Sequence, residues 1–299
     1  MNPSVSLLLR HRRPRLRRLS DRWMLPLLVV VLCVAGLGQV PQASASELRL
    51  VTIGGAVTET VFALGAGDQV VAVDTSSTYP EAAVQRPKVG YARTLAAEGI
   101  LAMRPDRVLA SAHAGPDAVF TQLAVAGVAV TRLDDPRSPE QAQRMIAQVA
   151  DVLGRPEAGA SLNRRLQQQL DGLGPTTFPE ERGIVVMGGQ GGQLLVAGQS
   201  TAADAMLQLV GLPNAAAALP GYRPVGDEGL LTLRPTVVVV PDHALPALGG
   251  LDGLRHRPAL AGLTPARFVV MESLLLLGMG PRLGEAVQNL AAAVATAQR

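Results

Sequence analysis

Cysteine is almost missing from this chain. Cys33 is the only one, and it lies inside an apolar run near the N-terminus, preceded by Leu32 where a lipid-attachment signal would carry a small residue. Lipidation is therefore not expected. Beyond residue 45, disulfides, thiolate metal sites and cysteine nucleophiles are all excluded. Long apolar runs are missing too: Met24 to Gly38 spans 15 residues, short of the roughly 20 that cross a bilayer. Catalytic signatures are also lacking, with no paired carboxylates, no G-x-S-x-G elbow and no H-E-x-x-H helix, so nothing marks an enzyme. Gly188-Gly-Gln-Gly-Gly192 has no G-K-[ST] ending, which rules out a P-loop and leaves a tight turn near a ligand or hinge.

What stands at the N-terminus is an address. Seven arginines lie between Arg10 and Arg22, then the short apolar run, then Ala43-Ser-Ala45. That order is a secretory signal peptide, with cleavage expected after Ala45. Arg17-Arg18 loosely resembles a twin-arginine signal, and the route stays open between Sec and Tat. Cleavage removes seven of the 27 basic residues and one of the 24 acidic ones, leaving 20 against 23 and turning a net +3 into −3. The high isoelectric point belongs to the leader, and no nucleic-acid partner is expected.

Four segments follow: the signal peptide (1–45), an N-terminal lobe (46–137), a linker (138–175) and a C-terminal lobe (176–299). Short β-rich runs alternate with helical stretches from Leu48, the pattern of parallel βαβ units. After Ser138-Pro139-Glu140 the periodicity is helical to about Leu173, interrupted only at Gly154-Arg155-Pro156, and reads as a long linker helix. Strand and helix alternation resumes at Gly183 and ends in a closing helix from about Arg282. The fold class is α/β, with two Rossmann-like lobes of parallel sheet and a ligand cleft between them. A helical bridge is expected to restrict closure to small motions.

An internal repeat supports this plan. Gly90-Tyr91 precedes Glu98-Gly-Ile-Leu-Ala-Met-Arg-Pro105, and Gly221-Tyr222 precedes Glu228-Gly-Leu-Leu-Thr-Leu-Arg-Pro235. At the same offset His113 answers His243, each just past a strand. Each block is expected to form a loop, a short helix, a turn and a strand. Open α/β sheets bind ligands in loops at the carboxyl ends of their strands. Aromatic residues make up only 3% of the chain, and the expected mature part has just three tyrosines, Tyr79, Tyr91 and Tyr222, and three histidines, His113, His243 and His256. Most of these fall in repeat loops, which marks the cleft. Tyr79, before Pro80, is expected to line it; His256, in an arginine-rich stretch, has no special role.

On the segments Leu50 to Gly65, Val89 to Leu101, Ala114-Gly-Pro116, Gly221 to Pro224 and Leu277 to Arg282, the chain resembles class III periplasmic substrate-binding proteins of ABC importers, and within them the haemin-binding subgroup. The resemblance covers nearly everything after Glu47. It implies a haem-binding protein with haem as transported ligand, no catalytic cofactor, and a periplasmic location. Implied partners are an importer permease, its ATPase subunits and a haem donor such as an outer-membrane receptor.

The resemblance places the iron ligand on Tyr91, with Arg93 nearby. A phenolate is a hard anionic donor suited to ferric iron, and a neighbouring guanidinium favours that anion or pairs with a propionate. The alternative for Tyr91 is a loop tyrosine packing between the lobes. Tyr222 and Arg223 either stack on the porphyrin and pair with a propionate or form a structural turn between Gly221 and Pro224. His113 or His243 supplies a second axial ligand or simply bonds a neighbour. Glu98 and Glu228 are implied to meet permease arginines; otherwise they are helix-start carboxylates favoured by the dipole. Rival functions are a ferric-siderophore or cobalamin binder of the same class and, from another class, a haem- or metal-dependent enzyme.

Overall fold

The computed structural model describes residues 48–173, 177–189 and 193–297. The arginine-rich leader, its apolar run and the cleavage expected near Ala45 lie outside the described residues, as do positions 190–192 of the glycine cluster. The first sheet comprises β1 (Leu50–Ile53), β2 (Val70–Val73), β3 (Arg107–Ser111) and β4 (Ala129–Leu133), all parallel in the order β2-β1-β3-β4. Every residue of β1 is buried, as a parallel strand covered on both faces requires. Helices α1 (Gly55–Ala63), α2 (Glu81–Val84), α3 (Ala97–Leu101) and α4 (Asp117–Val125) lie between these strands in sequence.

The linker is two helices, α5 (Pro139–Val152) and α6 (Pro156–Asp171), rather than one long one. Gly154 takes φ 66 and Pro156 opens α6; proline bars Arg155 from the helical region, so the chain turns there. The pair folds back on itself, with a Cβ on Gly159 falling 2.5 Å from that of Ala150 and the Asn163 amide donating to the Gln143 carbonyl at 2.9 Å.

The second sheet holds β5 (Gly183–Gly188), β6 (Leu194–Ala197), β7 (Tyr222–Val225), β8 (Val237–Pro241) and β9 (Phe268–Met271), in the order β7-β6-β5-β8-β9. The expectation of a parallel sheet in both lobes needs correction here. Strands β5, β8 and β9 are parallel, but β6 runs antiparallel to both β5 and β7. The connection from β5 to β6 is too short for a crossover, so the chain can only return antiparallel. Strand β7 lies at the edge, where Pro224 is tolerated. Helices α7 (Ala202–Leu209), α8 (Asp227–Leu233), α9 (Gly250–Arg255), α10 (Ser273–Leu277) and α11 (Leu283–Ala297) complete the lobe.

The internal repeat has a conformational basis. Gly90 and Gly221 both take positive φ, 108° and 63°, and Arg104 and Arg234 both take φ 49° at the ends of α3 and α8. The residue before the first strand of each sheet is matched as well: Arg49 Nε donates to Arg104 O at 2.9 Å, and Arg182 Nε to Leu233 O at 3.1 Å. The lobes share one continuous apolar cluster, which runs from Val61 and Leu109 through Ile146 and Leu166 to Val185, Val239 and Leu290. Wide separation of the lobes would expose this core at a cost of about 25 cal/mol per Å².

Candidate functional site

Loops at the carboxyl ends of the first sheet's strands build one wall of the cleft. After β2, Asp74 is fully buried and fixes the loop: its carboxylate accepts from Gly54 N at 2.8 Å, Ser76 N at 2.8 Å and Ser77 Oγ at 2.6 Å. Thr75 N then donates to Gly90 O at 2.9 Å, which sets the glycine that turns the chain into Tyr91. Thr94 N closes a turn on Tyr91 O at 2.9 Å, presenting Tyr91 and Arg93 outward; the Tyr91 ring is 50% exposed. This turn is stitched to the loop after β3 by Gly115 N to Ala92 O and Leu95 N to Gly115 O, both 2.9 Å.

That second loop carries His113. Its backbone N–H reaches Asp135 Oδ2 at 3.2 Å, its Nδ1 pairs with the same oxygen, and Ser111 Oγ donates to Asp135 Oδ1 at 2.6 Å. Arg132 supports the loop from below, donating to Ala112 O at 2.5 Å and Ala114 O at 2.8 Å while stacking on Phe120. A carboxylate on Nδ1 fixes the ring and leaves Nε2 outward. Sequence reasoning found His113 but neither Ser111, two residues before it, nor Asp135, which comes to it through the fold.

Tyr222 differs from expectation: it is the first residue of edge strand β7, paired with Ala197, rather than part of a loop. A side chain at Gly198 would meet Leu219 O at 1.9 Å, so only glycine lets the chain before β7 pass this closely. The Tyr222 ring is 37% exposed. Burial pushes its phenol above the usual range, opposed by the positive charges of Arg93 and Arg137. Two guanidiniums from the first wall therefore bear on a tyrosine of the second. Arg137, just past β4, belongs to no motif and was not anticipated. Arg223 is exposed on the same edge strand. His243 is held in its own cluster, its Nδ1 2.5 Å from Ser273 Oγ and its backbone N–H 2.7 Å from Asp242 Oδ1.

Tyr79 meets the other lobe directly. Arg282 lies 3.6 Å over its ring and reaches Glu59 and Glu272, each at 3.2 Å. Glu59 is buried on α1, and burial raises its carboxyl above the usual range despite the arginine. Glu98 and Glu228 stand exposed in the first turns of α3 and α8, with no ion pair among the described residues. The charges of Arg93 and Arg137 thus bear on Tyr222, His113 and Arg137 line one pocket, and the two glutamates stand on the surface. His256 bonds the Asp252 carbonyl within α9 and its cap.

Comparison with known proteins fits this geometry. The sequence profile of the periplasmic binding protein family matches residues 50–267. The periplasmic heme-binding protein BhuT, solved with two hemes, is 41% identical over 84% of this chain and 99% of that one, with a TM-score of 0.78. The apo periplasmic heme-binding protein RhuT of Roseiflexus sp. RS-1 is 35% identical over 85% of this chain and 100% of that one, with a TM-score of 0.77. Among curated proteins, the ABC transporter substrate-binding lipoprotein YvrC of Bacillus subtilis is 27% identical, covering 82% of this chain and 79% of its own length. The vitamin B12-binding protein of Yersinia pseudotuberculosis is 28% identical, covering 72% of this chain and 76% of its own length. The chain belongs to the periplasmic binding protein family: it is an extracytoplasmic substrate-binding protein that serves an ABC importer, and not an enzyme.

Proposed function

We propose that this protein captures haem between its lobes and hands it to the importer. The observation that supports the reading is a pair of exposed tyrosines, each following a glycine of positive φ, with Arg93 two residues beyond Tyr91 and its charge bearing on Tyr222. Tyr91, on an outward turn, ligates ferric iron through its phenolate. Arg93 and Arg223 pair with propionates through charge-assisted bonds, while Tyr222 and Tyr79 contact the porphyrin face. His113, oriented by Asp135, and His243, oriented by Ser273, are the two candidates for a second axial ligand.

In this reading residues 1–45 direct export and are removed near Ala45, leaving lobes at 46–137 and 176–299 joined by 138–175. An outer-membrane receptor donates haem. Glu98 and Glu228, exposed at equivalent helix starts, dock on permease arginines, and partner ATPase subunits supply the energy for transport.

A second reading, cobalamin binding, draws on the likeness to the vitamin B12-binding protein. There the tyrosines would touch an organic face without ligating metal. Titration of the mature protein with haemin, cyanocobalamin and a ferric catecholate siderophore separates these readings. Saturable uptake of haemin alone is expected; saturable uptake of cobalamin or the siderophore without haemin would overturn the proposal.

A further inference from the structure

Beside the cleft lies a pocket of about 270 Å³ whose walls include His113, Asp134, Asp135, Arg137, Gln141 and Arg144. Drug-sized ligands occupy about 300–1,000 Å³, so this space suits a side arm of a ligand and not a porphyrin ring. Asp135 is already engaged by His113 and Ser111. Arg137 is different. Its backbone N–H is fixed by Gln141 Oε1 at 2.7 Å, its side chain is exposed, and it forms no ion pair among the described residues. It borders this pocket, and its positive charge, like that of Arg93, bears on Tyr222. Asp134 and Asp135 line the same pocket, but neither pairs with Arg137, so its guanidinium is left to receive a carboxylate from a ligand through the bidentate geometry that arginine offers.

We infer that Arg137 receives a carboxylate arm of the bound ligand in the pocket beside His113. The inference rests on the haem reading and adds to it a residue outside the repeated motifs.

The test is an absorbance titration of the mature protein and its Arg137→Gln and Arg137→Lys variants, with haemin and with haemin dimethyl ester, which keeps the ring and iron but has no carboxylate. Because Arg137 is exposed and unpaired, both variants are expected to fold. Arg137→Gln is expected to weaken haemin about tenfold, the order of one charge-assisted contact, with ester binding unchanged and Arg137→Lys intermediate. Equal weakening of haemin and ester would make Arg137 structural and overturn the inference, as would no weakening of either. Failure of the unaltered protein to bind either porphyrin would instead overturn the haem reading, and the inference with it.

Discussion

Replacing Arg282 with methionine keeps most of the side chain's bulk but strips a buried carboxylate of its cation. Glu59 is only 4% exposed, and Arg282 reaches it through both its backbone N–H at 3.1 Å and its guanidinium at 3.2 Å. Removing one partner of a buried pair costs about 3–5 kcal/mol. Glu59 is able to take up a proton and so escape part of that cost, which puts the expected loss at about 3 kcal/mol at neutral pH. For a chain of this size the melting point then falls by about 6–12 °C. The loss depends on pH in a defined direction. Burial already raises the Glu59 carboxyl above 4.5, so the folded state holds this proton more tightly than the unfolded chain. Its contribution is fully present below 4.5 and is lost as pH rises through the folded value. Without Arg282 that value rises further, so the variant's deficit should grow between about pH 4.5 and 7.5. Circular dichroism melts at both pH values, with Glu59→Gln/Arg282→Met as a partner variant, provide the assay. The double variant should recover most of the loss at neutral pH. A deficit equal at both pH values, or one the double variant fails to relieve, would refute the reasoning and place the cost in packing over Tyr79.

Charge reversal at both Glu98 and Glu228 should abolish importer-dependent haem uptake in cells while leaving haemin affinity of the purified protein within about twofold; parallel loss of affinity would remove these residues from docking. Arg93→Gln removes a cation that opposes the upward shift of the Tyr222 phenol, so ultraviolet titration should find this phenol ionising at still higher pH, and an unchanged or lower value would contradict a charge of Arg93 acting on Tyr222.

Much of the architecture was legible because local chemistry and global pattern agree. Gly90 and Gly221, Arg104 and Arg234 recur in sequence because each pair takes the same uncommon backbone conformation. The break at Gly154-Arg155-Pro156 was visible as well, although it ends one helix and starts another instead of merely bending one. The antiparallel strands were not legible, since β7 carries Pro224 and reads as a turn until its edge position makes proline acceptable. Site residues brought together over long separations were equally hidden. Asp135 reaches His113 across 22 residues and Arg282 reaches Glu59 across 223, and no periodicity or spacing announces such pairs.

The most direct test of haem capture by Tyr91 is an absorbance titration of the mature protein with haemin, beside the same titration on Tyr91→Phe. The phenylalanine keeps the ring and removes only the oxygen. The account predicts a saturable Soret shift with a tyrosinate-type charge-transfer band in the native protein, and loss of that band in the variant. A band that survives the substitution would contradict ligation by Tyr91, and the absence of a saturable shift in the native protein would contradict haem as the ligand.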